Sequence, residues 1–113
     1  MRKDDEIRLR HMMDAAREAL TFSHHRARSD LEHDRMLVHA LVRCIEIIGE
    51  AASQVTKDTQ RQLPDIPWPS MVAMRNRLIH AYFDIDLDRV WDTVIDDLPP
   101  LIGTLDRILP ETA

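Results

Sequence analysis

Leu37-Val38-His39-Ala40-Leu41-Val42-Arg43-Cys44-Ile45-Glu46-Ile47-Ile48-Gly49-Glu50-Ala51-Ala52 decides how this chain folds. On a helix drawn through it, apolar residues cover most of the circumference. The later half leaves one narrow polar stripe of His39, Arg43, Glu46 and Glu50, with Ser53 beside it. A helix that apolar lies at the centre of a bundle, or also contacts a second subunit. Ser29-Asp30-Leu31-Glu32 has capping-box spacing and is expected to start this helix, which runs to Gln54 or Val55. The stripe has two readings. In one it is a solvated face with its own ion pairs. In the other, Glu46 or Glu50 faces an arginine on a neighbouring helix and holds its guanidinium.

Outward from that centre, helical periodicity continues. Leu9, Met12, Met13, Ala16, Ala19 and Leu20 make the apolar stripe of a first helix over Asp4–Ser23, and Asp4, Asp5 and Glu6 suit its N-terminal dipole. His24 to Arg28 reads as a connection. Lys57–Leu63 predicts a short helical turn, and Pro64-Asp65-Ile66-Pro67-Trp68-Pro69 a stiff corner with Pro69 in the first turn of the next helix. That helix is expected over Ser70–Phe83. Asp86 is placed to cap a last helix carrying Val90, Trp91, Val94, Ile95, Leu98, Leu101, Ile102 and Leu105, kinked at Pro99-Pro100. The expected architecture is all-α: one domain over residues 1–113, an antiparallel bundle of four to five helices.

Composition narrows the function. Two glycines and 4% aromatic residues argue against a sheet protein. The charge, 15 − 20 = −5, disfavours broad binding to nucleic acid, though Arg26, Arg28, Arg75 and Arg77 could form a local basic cleft. No apolar run is long enough to span a membrane, and no signal-like segment opens the chain. The single cysteine, Cys44, sits in the apolar run and reads as a core residue, which fits a reducing cytoplasm. The six histidines lack metal-ligand spacing, and no glycine-rich phosphate loop occurs, so neither metal nor cofactor is expected.

Arg75-Asn76-Arg77-Leu78-Ile79-His80-Ala81-Tyr82 carries the chemistry. On a helix, Arg75 falls within the apolar arc of Met71, Val72, Met74, Leu78, Ile79 and Tyr82, and a guanidinium there must meet an anion or a polar cleft. Asn76 and His80 share the opposite side. A structural ion pair accounts for the arginine equally well. The alternative is phosphodiester chemistry on RNA. Histidine near its natural pKa serves as acid or base, and arginine offers a forked cation to phosphate oxygens. Tyr82 can stack on a base or donate to a phosphate. One such helix supplies half of an acid–base pair, and a symmetric dimer would supply the rest.

Arg75, four residues, His80, one residue and Tyr82 resembles the Arg-x4-His-x-Tyr signature of the HEPN superfamily, and most closely its HepT-like toxins. Ile47-Ile48-Gly49-Glu50-Ala51-Ala52, Ile66-Pro67-Trp68 and Tyr82-Phe83 followed by Asp86, Val90 and Trp91 are similar to further segments of that family in the same order. The resemblance implies a homodimeric, metal-independent endoribonuclease of a toxin–antitoxin pair that leaves a 2′,3′-cyclic phosphate at a composite dimer-interface site. It implies Arg75 and His80 as the catalytic pair, with Asn76 and Tyr82 in support, and Arg77, a cation within the same stretch, is a further supporting candidate. It also implies a minimal nucleotidyltransferase antitoxin of the MntA type, which places AMP on Tyr82. The other reading is a non-catalytic helical module that binds a nucleotide or a nucleotidyltransferase.

Overall fold

A computed structural model describes residues 1–81 and 84–110, with the backbone alone for 79–81. Its first helix, α1, spans Lys3–Ser23, and α2 spans Arg35–Gln54. The short helices α3 (Lys57–Gln62) and α4 (Trp68–Ala73) follow. A two-stranded hairpin of β1 (Ile79–Ala81) and β2 (Asp84–Ile85) leads into α5 (Leu87–Asp92) and α6 (Leu98–Ile108). The fold is all-α apart from that hairpin.

Helix α2 is the centre of the bundle because its apolar arc finds partners on several sides. Leu41, Ile45, Ile48 and Ala52 are fully buried in one core with Leu9, Met12, Ala16 and Ala19 of α1 and with Leu78, Val90, Val94, Leu98 and Leu105. Each large aliphatic side chain so buried is worth about 1.5–3 kcal/mol. The apolar surface of α2 is therefore largely consumed within one chain, so its breadth gives no separate support for a second subunit. Gly49 sits where α2 crosses α4. A Cβ there would stand 3.3 Å from the Met71 carbonyl oxygen and 3.6 Å from that of Val72. The missing side chain sets the closeness of that crossing.

The start of α2 differs from the expectation. Residues Arg28–Glu32 form a 3₁₀ turn, and α2 begins only at Arg35. Asp34, not Ser29, is the cap, and its carboxylate accepts the Leu37 N–H at 3.0 Å. Asp30 instead takes the Ala27 N–H at 2.7 Å, and Arg26 bonds Asp34 at 2.8 Å. Two local carboxylate caps thus compete with a continuous helix and end it there.

The helix expected over Ser70–Phe83 is also shorter. It starts earlier, at Trp68, whose indole Nε1–H donates to the Leu63 carbonyl at 3.0 Å. After Ala73 the hydrogen bonds tighten to three-residue spacing through Arg75–Arg77, with Leu78 N–H donating to Arg75 O at 3.2 Å. The chain then extends. Ile79 pairs with Ile85 and Ala81 with Asp84, and the Asp86 N–H closes onto Leu78 O at 2.6 Å. Hairpin pairing overrides a helical pattern that is too short to stand by itself.

Asp86 caps α5 as expected, accepting the Arg89 N–H at 3.0 Å. The break at Pro99-Pro100 is taken up one turn earlier. Neither proline has an N–H to donate backward, and residues Thr93–Asp97 widen into a π-helical turn in which Leu98 N–H reaches Thr93 O. Helix α6 then begins with both prolines in its first turn, where no donor is needed.

Candidate active site

Because the backbone leaves α-helical geometry after Ala73, Arg75 does not lie in the apolar arc drawn for it. It stands on the 3₁₀ turn with its side chain 61% exposed. Val72, assigned to the same arc, is exposed too. The guanidinium Nε lies 3.5 Å from Oε2 of Glu46, whose side chain is 30% exposed. Among the described residues one carboxylate thus engages one edge of the fork, and most of the side chain is exposed. An anion approaching from outside can reach a cation that solvent already reaches.

Arg75 and Asn76 form one wall of a groove of about 390 Å³. Val72 of α4 continues that wall, and Arg43, Glu46, Gly49, Glu50 and Ser53 of α2 form the other. The polar stripe of α2 thus faces the Arg75 turn, although Glu50 is occupied locally by the Gln54 side-chain amide at 2.7 Å. The absence of a side chain at Gly49 lets the two walls approach.

Arg77 points elsewhere. It lines a cleft of about 210 Å³ between α4 and α6 with Ser70, Asp96 and Asp97. It donates to the Ser70 hydroxyl at 3.4 Å. Desolvation by the cleft wall pushes the Asp97 carboxyl up, Asp96 adds to this, and Arg77 and Arg89 pull the other way. Arg77 and Arg75 therefore serve different surfaces. Arg26 and Arg28 do not enlarge a basic cleft either. Arg26 is spent on Asp30 and Asp34, and Arg28 bonds Asp88 at 2.7 Å with Glu32 at 3.7 Å.

His80 belongs to β1, so the expectation that it shares a helix face with Asn76 does not hold. Its side chain lies outside the described residues, as does Tyr82 altogether. Cys44 is buried, and burial first, then Glu18, pushes its thiol up to about 11, which removes it as a nucleophile. Among the described residues, no group of three or more His, Cys, Asp and Glu side chains is arranged to hold a metal ion, and no helix is long and apolar enough to cross a membrane.

One polar centre escaped the sequence reading. Asp5, assigned there only to the α1 dipole, is 1% exposed. Burial acts to raise its pKa, but hydrogen bonds outweigh this and hold it below the usual carboxylate range. They come from the Thr56 N–H (3.0 Å), the Thr56 hydroxyl (2.6 Å) and the Thr59 hydroxyl (2.5 Å). The centre ties α1 to the α2–α3 junction. An acid at the first turn of a helix is so ordinary that nothing in the sequence separates this one from Asp4.

A family model described as "Ribonuclease HepT-like" matches residues 12–108. The chain belongs to the HepT-like ribonuclease family. It is 43% identical over 75 residues to "Probable ribonuclease HepT" of Thermococcus cleftensis, an alignment covering 66% of this chain and 68% of the relative. It is 32% identical over 100 residues to "Putative RNase MJ1380" of Methanocaldococcus jannaschii, covering 88% and 92%. It is 35% identical over 80 residues to "Putative RNase TTE0752" of Caldanaerobacter subterraneus, covering 71% of each. No solved structure gives a significant match. The HepT-like match contains every residue lining the Arg75 groove.

Proposed function

We propose that this HepT-like chain is an endoribonuclease that cleaves RNA without a metal ion, with Arg75 and His80 as the catalytic pair. The observation that carries the reading is the Arg75 guanidinium, exposed on the wall of a groove and, among the described residues, paired with the Glu46 carboxylate alone. Family membership supports the substrate class.

The reaction is a transesterification. The ribose 2′-oxygen attacks phosphorus, a base takes the 2′-hydroxyl proton, and the bond to the leaving 5′-oxygen breaks as an acid protonates it. The products are a 2′,3′-cyclic phosphate and a 5′-hydroxyl. Arg75 stabilises the extra negative charge on the phosphorane, and the site's histidine performs one of the two proton transfers. A homodimer with two Arg75 turns at one cleft supplies the second histidine. Asn76 adds a hydrogen bond to phosphate. Tyr82, placed beside this motif in the sequence, is the acceptor for AMP from a nucleotidyltransferase antitoxin, and the added bulk and charge repel RNA. In this role the protein is the toxin of a toxin–antitoxin pair.

Incubation of purified protein with RNA in EDTA tests the proposal. Expected are cleavage with cyclic-phosphate ends and at least a hundredfold loss in His80→Ala and in Arg75→Ala, with helical circular dichroism unchanged. Full activity in both variants overturns the site assignment. Dependence on added metal overturns the mechanism.

A further inference from the structure

We propose that the Arg75 groove continues over α2 as a path for an RNA strand, with Arg43 at its crest and Arg8 and His11 of α1 at its far end. A second groove, of about 230 Å³, lies on the α1 side of α2, and it shares Arg43, Glu46 and Glu50 with the groove that Arg75 borders. The shared side chains are the polar stripe of α2 itself, with one groove on each flank, and the proposed path, the trough, crosses from one to the other over Arg43. Arg43 is exposed, Arg8 is half-buried, and among the described residues neither makes an ion pair. Cations thus stand at both ends and at the middle of the trough, on a chain whose net charge is −5.

The carboxylates between them distinguish the ligand. Glu46 is turned to Arg75 and Glu50 to Gln54, so each already accepts a donor. A carboxylate has spare lone pairs for more. An RNA strand offers phosphates to the arginines, and 2′-hydroxyl and base amino donors to the carboxylates. A purely anionic ligand would be repelled by Glu46 and Glu50. The far end of the trough involves Arg8 and His11, which precede the segment matched by the family model. The inference rests on the ribonuclease reading for its ligand class, while the two grooves are geometry of this chain.

Fluorescence anisotropy with a labelled single-stranded 12-mer RNA tests it, in the full chain carrying His80→Ala to prevent turnover. Arg43→Gln and Arg8→Gln should each weaken binding about three- to tenfold, and each should flatten the salt dependence by about 0.7 in log–log slope, as expected for one lost phosphate contact on a single strand. Arg107→Gln, on α6, serves as a charge-matched control and should change neither. The same sequence as DNA should bind more weakly. Unchanged affinity and slope in both groove variants overturn the path, as does a change in oligomer mass in either, which would make the trough a protein interface. Cleavage by the wild-type chain with unaltered affinity in the variants keeps the catalytic reading and removes the trough. Groove-dependent binding without cleavage does the reverse.

Discussion

Glu46 touches Arg75 from one side, and that contact has little structural weight. The pair is 3.5 Å long, and the arginine side chain is 61% exposed. Exposed pairs of this kind contribute roughly 0–1 kcal/mol. Glu46→Gln should therefore move urea stability by less than about 1 kcal/mol. If the carboxylate orients the guanidinium for phosphate, the same variant should lower kcat on RNA about tenfold. Equal kcat in variant and wild type would reduce Glu46 to a surface partner. Asp5 is the opposite case. Removing it by Asp5→Ala takes the acceptor from the buried Thr59 hydroxyl and from the half-buried Thr56 hydroxyl and N–H, and should cost about 1–3 kcal/mol in denaturant unfolding. A loss below about 0.5 kcal/mol would mean that water replaces the carboxylate. Sequence alone exposes the Arg75 motif because its residue types are unusual in combination. It hides Asp5 because burial depends on a junction some fifty residues away.

Elements were legible where a periodic stripe is long. Helices α1 and α2 are read from their apolar positions, and the corner before α4 from its prolines. What failed was local competition. Asp30 and Asp34 cap backbone donors and displace the start of α2 from Ser29 to Arg35. The hairpin takes Ile79–Ala81 from a helix whose remaining turn has few residues to sustain it. The same element scale governs the groove. The α2–α4 crossing depends on Gly49, and the atoms in its way are backbone carbonyls that cannot rotate aside. Gly49→Val should force α4 outward and cost roughly 1–3 kcal/mol in thermal or urea unfolding. Because α4 runs directly into the Arg75 turn, RNA cleavage should fall further than Val72→Ala makes it fall. A Gly49→Val protein with wild-type stability and activity would show that the crossing is looser than its geometry.

The balance of charge over the whole molecule decides how it responds to acid. Asp5 is held below its ordinary pKa by its three hydrogen bonds, against the upward push of burial. Asp30 is lowered first by the Ala27 N–H, and Asp34 first by Arg26. For a carboxyl whose folded pKa is depressed, the stabilisation is complete above the unfolded value of 3.8 and disappears as pH falls through the folded value. Asp97 has the reverse sign. Its raised pKa costs stability at neutral pH, and that cost is relieved as pH falls through the folded value toward the unfolded one. Urea unfolding from neutral pH downward should therefore show a slight gain or a plateau through the mildly acidic range, then a steep loss below about pH 4. Asp97→Asn should raise stability at neutral pH and abolish the mild-acid gain. Asp5→Ala should lower the plateau and flatten the acid limb, since one of the three groups whose protonation drives that limb is gone. An acid limb of unchanged steepness in Asp5→Ala would move the origin of acid unfolding to the surface carboxylates around Arg26, and would leave the α1 to α2–α3 tie without a role in it.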